Sequence, residues 1–129
     1  MSRTARAQAI VEFALVVPLF FLLVVGIFDL SRAYVASTVV ASCAREAARS
    51  GAVSWQASGW DTQPARQACL NLAVGVDRAA LQVTVAQDPA STSYVRATVT
   101  YAFHSLTPLV GTLLGDPIQL TATTLVLAG

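Results

Sequence analysis

Few residues in this chain could do chemistry. His104 is the only histidine, Cys43 and Cys69 are the only cysteines, and the carboxylates are Glu12, Asp29, Glu46, Asp61, Asp77, Asp88 and Asp116. A nucleophile and base would have to be built from His104 with a serine or cysteine, and no local spacing supports such a pair. Cys43, Cys69 and His104 lack an obvious fourth ligand for a tetrahedral metal. There is no P-loop, no Rossmann glycine fingerprint and no HExxH. Asp61, Asp77, Asp88 and Asp116 fall beside turns or helix starts, where capping accounts for them. The chain therefore reads as a non-enzyme with no metal and no cofactor. Eight arginines against seven carboxylates leave a formal charge of +1, too little to draw in nucleic acid.

Three sets of residues remain. Glu12 stands inside an apolar run, where an ionisable side chain costs several kcal/mol unless it snorkels or is paired. Snorkelling is one reading, because Glu12 is about a turn and a half from the start of the run. The other is a partner charge met in lipid, for which a newly exposed amino terminus nearby would serve. Cys43 and Cys69 would close a loop worth about 3–4 kcal/mol if bridged; two buried free thiols are the alternative. Trp55 and Trp60, in one predicted loop, could contact a sugar or lipid headgroup, or simply pack on the domain.

The apolar run explains the composition. Hydrophobic residues make up 55% of the 129 and charged residues 12%, against roughly 25% charged in ordinary globular domains. From Ala7 to Phe28, 18 of 22 residues are hydrophobic, and as a helix this stretch reaches about 33 Å, enough to cross a bilayer core. Arg3, Arg6 and the amino terminus precede it, while Asp29 and Arg32 cancel after it, so the N-terminus is expected in the cytoplasm and the remainder outside. The uncharged stretch is longer than a signal-peptide core. Val40-Ala41-Ser42-Cys43 resembles a lipoprotein box but lies too far from the apolar core.

Asp29 to Ser50 contains neither Gly nor Pro and is rich in alanine. Ala33, Ala36, Val40, Cys43, Ala44 and Ala47 recur every three or four residues as a stripe of small side chains. We expect one helix over 8–50, membrane-spanning to about 28, with Pro18 a candidate kink, Arg45 and Arg49 near its end and Gly51 as terminator. Beyond it, 51–129 should form a small outer domain. A short helix capped by Asp61 or Thr62 runs to about Ala73, before Gly75. Alternation predicts strands around Leu81–Val85 and Val95–Phe103, paired as a hairpin across Asp88–Thr92; a helical turn follows within Leu106–Leu114, and richness in Thr, Leu and Val marks a last strand from Ile118 to about Leu127. The fold class is α+β: a long N-terminal helix packed on a small domain with a second helix and a three-stranded antiparallel sheet.

The stretch from Arg6 to Phe13 (RAQAIVEF), the following Ala14 to Leu19, and Gly26 to Tyr34 (GIFDLSRAY) resemble the TadE-like minor pilins of tight-adherence pili. Ala44 to Arg49 (AREAAR) is similar to their helix-ending motif and Gly115 to Ala122 to their last strand. The resemblance implies a basic leader, 1–7, removed by a prepilin peptidase between Ala7 and Gln8, with Ala7 where the family usually has Gly. Glu12 then becomes the fifth mature residue and pairs with a neighbouring subunit's amino terminus. It further implies pilin or pseudopilin subunits, the pilus assembly platform and membrane lipid as partners. The location implied is the bacterial inner membrane, crossed once, with passage into the pilus open. The competing expectation is a membrane-tethered adhesion module that binds through Trp55 and Trp60 without entering a pilus.

Overall fold

The computed structural model describes residues 3–58 and 61–128, with side chains omitted for 56–58. Helix α1 runs from Arg3 to Ser58, 56 residues, or about 84 Å at 1.5 Å per residue. It continues through Pro18. Its first half is apolar on every side: an 18-residue window reaches a mean hydropathy of 2.8 with none of its residues buried. Among the described residues this is the one helix long and apolar enough to cross a membrane.

The second half of α1 carries the domain. The stripe of small side chains is its inward face: Ala36, Val40, Cys43, Ala44, Ala47, Ala48 and Ala52 are all buried. Small residues let two partners approach one helix closely. One is helix α2, Gln63–Leu72, whose Ala65 and Cys69 are fully buried. The other is a sheet of β1 (Leu81–Asp88), β2 (Ser91–Phe103) and β3 (Ile118–Leu127). The strands are antiparallel in the order β1-β2-β3. Val95, Ala97, Val99, Tyr101 and Phe103 are buried on its inner face, following the two-residue period of a pleated strand. A short helix, α3 (Pro108–Leu114), links β2 to β3.

The expected helix, hairpin and last strand are all present, and β3 occupies the predicted range. The start of α2 is capped by Asp61, whose Oδ1 accepts from the Gln63 N–H at 2.9 Å, while Thr62 makes no side-chain cap. Gly75, at φ +77°, turns the chain in the left-handed region that glycine enters without steric cost.

Both ends of α1 differ from the expected 8–50, and its start is at Arg3, within the expected leader. The helix does not stop at Gly51 but passes through it to Ser58, so Ser54 and Trp55 are helical and not in a loop. A Cβ on Gly51 would lie 2.8 Å from Val85 Cγ1 and 3.3 Å from Val95 Cγ1. The glycine therefore sits where α1 crosses close over the hairpin, a packing role that a terminator rule misreads. The Ala44 to Arg49 motif accordingly does not end the helix. Ala44, Ala47 and Ala48 fill the core while Arg45 and Arg49 face solvent, and no basic residue occupies the last turn.

Candidate functional site

Ala7, Gln8 and Glu12 lie on the exposed N-terminal part of α1. The helical repeat sets Gln8 and Glu12 one turn apart on one face, and Gln8 Nε2 donates to Glu12 Oε1 at 3.4 Å. No salt bridge among the described residues includes Glu12. A carboxylate is thus presented sideways from an apolar helix.

At the other end of the apolar run the charge is consumed internally. Asp29 is 2% exposed, although it directly follows sixteen uncharged residues. Its Oδ1 accepts from the Leu106 N–H at 3.0 Å and its Oδ2 from the Thr107 N–H at 2.7 Å. The Thr107 hydroxyl also donates to Oδ2. Arg32, one turn on, stands 3.5 Å from Oδ1 and lays its guanidinium 5.4 Å from the centre of the Phe103 ring. The Thr107 hydroxyl holds the Asp29 carboxyl below the usual carboxylate range, with the two backbone donors and Arg32 acting the same way against the opposing effect of burial.

These contacts form a latch between α1 and α3, whereas in the sequence Asp29 reads only as a flanking charge cancelled by Arg32. The available signal was Ser105-Leu106-Thr107-Pro108, a helix start whose N–H groups need an acceptor from elsewhere. Thr107, the N-cap of α3, makes no cap with its own side chain, because its hydroxyl is engaged by Asp29.

Cys43 and Cys69 form a disulfide, tying α1 to α2 at a fully buried point. Trp55 lies on the last turns of α1 and is partly exposed; Trp60 falls outside the described residues. His104 Nδ1 is 3.2 Å from Asp116 Oδ1 on the surface. The three residues considered for a metal are not brought together: Cys43 and Cys69 are bonded to each other, and among the described residues no group of three His, Cys, Asp or Glu side chains could hold an ion.

These features define a small α+β domain carried on one long helix, the distal half of which offers apolar surface in every direction and one carboxylate. Residues 7–49 of that helix match the TadE-like protein family, the family whose motifs the sequence resembles. The match covers α1 from Ala7 to Arg49 and none of the strands. No curated protein and no solved structure matches the chain.

Proposed function

We propose that this chain is a minor pilin or pseudopilin of a tight-adherence pilus, held in the bacterial inner membrane by α1 with its N-terminus cytoplasmic and its domain outside. A prepilin peptidase removes residues 1–7. Glu12 then receives the new amino terminus of an adjacent subunit, which sets the depth at which subunits pack before they meet the assembly platform. The observation that carries this reading is Glu12 itself: a carboxylate exposed on an apolar helix, within the segment that matches the TadE-like family. A charge held in lipid is costly, and pairing with an ammonium group relieves that cost.

The test is the N-terminal mass of the protein from cells that contain a prepilin peptidase. A chain beginning at Gln8 supports processing; an intact leader overturns it. In the same cells Glu12→Ala should abolish piliation while the protein still inserts, whereas a mere tether would be indifferent to the substitution.

A further inference from the structure

Helix α3 and the loop before it leave a second apolar surface uncovered. Leu106, Leu113 and Leu114 are 69–75% exposed and Leu109 is 48% exposed, and residues 105–115 contain no charged side chain. Their position relative to α1 gives this surface a meaning. Thr107 is level with Asp29, to which it is bonded. From there Pro108, Leu109 and Thr112 share a cleft with Leu22, seven residues or about 10 Å back along α1 toward the N-terminus. Val110 and Leu114 line another cleft with Gly26, Leu30 and Ala33. The segment thus lies beside the last turns of the apolar run instead of above them. His104 and Asp116, paired at its neck, mark where polar side chains resume.

We infer that α3 is a second membrane contact, a foot whose leucines enter the outer leaflet of the bilayer beside α1. The inference rests on the proposal that α1 spans the membrane, and adds an element outside the family match. The occupant is lipid because the surface is continuous with the flank of α1 at Leu22 to Phe28: a bilayer covering one covers the other. Apolar elements at this boundary sink about 5–10 Å into the headgroup and acyl region, comparable with the roughly 10 Å of helix rise between Asp29 and Leu22.

Because both native cysteines are bridged, one introduced cysteine can carry an environment-sensitive fluorophore. The full chain would be labelled at Leu113→Cys or, separately, Leu106→Cys, both exposed sites, and placed at one copy per phospholipid nanodisc. Phe20→Cys reports the anchor and Thr121→Cys, on the exposed face of β3, reports water. We expect the labels at 113 and 106 to lose most of their emission to nitroxide lipids labelled near the headgroup, and little to aqueous iodide. Position 20 should respond to deep nitroxides and position 121 to iodide. If 113 and 106 behave like 121 while 20 stays lipid-quenched, the foot is wrong and the anchor stands. If position 20 is also open to iodide, the anchor fails as well. Shielding of 113 that appears only with several copies per disc assigns the surface to a second copy of the chain and overturns the lipid reading.

Discussion

Asp29 and Thr107, 78 residues apart in sequence, are joined through both the backbone N–H and the hydroxyl of the threonine. The contact locks the start of α3 to the point where α1 leaves its apolar run, and through α3 it fixes how β3 enters the sheet. Hydrogen bonds to a charged group contribute about 1.5–3 kcal/mol each, more than neutral ones.

Asp29→Ala should therefore destabilise the domain by about 2–4 kcal/mol, since it leaves the Thr107 donors unpaired in a buried place and takes the acceptor from the Leu106 N–H. Thr107→Val, which removes the hydroxyl alone, should cost about 1–2 kcal/mol. Chemical denaturation of the full chain in detergent measures both. Equal losses would mean that the backbone donors contribute nothing.

The same carboxylate gives a pH signature. Its folded pKa lies below the ordinary aspartate value, so between the two values the unfolded chain binds more protons and stability rises with pH. The stabilisation is complete above about 3.8 and is lost as pH falls through the folded value. Protection of the Leu106 and Thr107 amides against exchange, relative to the intrinsic rate at each pH, should fall on acidification below about pH 4 in the native protein. In Asp29→Asn that acid-induced step should be missing.

Gly51→Ala sets two effects against each other. Alanine gains up to about 1 kcal/mol of helix propensity, but its methyl would stand 2.8 Å from Val85 Cγ1, and overpacking costs about 1–3 kcal/mol. Because valine has little freedom to withdraw, a net loss of about 1 kcal/mol is expected. Adding Val85→Ala should relieve the clash, so the double mutant should show a favourable coupling. A melting temperature raised by Gly51→Ala alone would refute the close crossing.

The disulfide closes a separation of 26 residues, which corresponds to about 3–4 kcal/mol in the chain-entropy treatment. Reduction, or Cys43→Ala with Cys69→Ala, should lower unfolding stability by about that amount and loosen α2 first. Thiol labelling of the denatured, unreduced protein should find no free cysteine.

Local patterns carried most of the architecture into the sequence. Richness in Thr, Leu and Val from Ile118 onward outlined β3, and the three- and four-residue spacing of alanines outlined the inner face of α1. Each is a one-element property, set by whether a residue faces core or solvent. Gly51 and Asp29 were misread for the opposite reason: their roles come from what lies opposite, Val85 in one case and Thr107 in the other. A glycine that permits close approach and a glycine that ends a helix look alike until the partner strand is in place. An acidic residue after an apolar run likewise looks like a simple boundary charge. Glu12 stood out because its conflict with its neighbours is local.

The unbroken helical path from Glu12 to Asp29 makes α1 a phase clock as well as an anchor. Seventeen residues set a rise of about 26 Å and a definite azimuth between the two carboxylates, since each residue turns the helix by about 100°. In a subunit registered at Glu12, one inserted residue in the apolar run would swing the latched domain by about 100° while lifting it only about 1.5 Å. Seven inserted residues would lift it by about 10 Å and return it to within about 20° of its first bearing. Azimuth and height of the outer domain are thereby separable by insertion length.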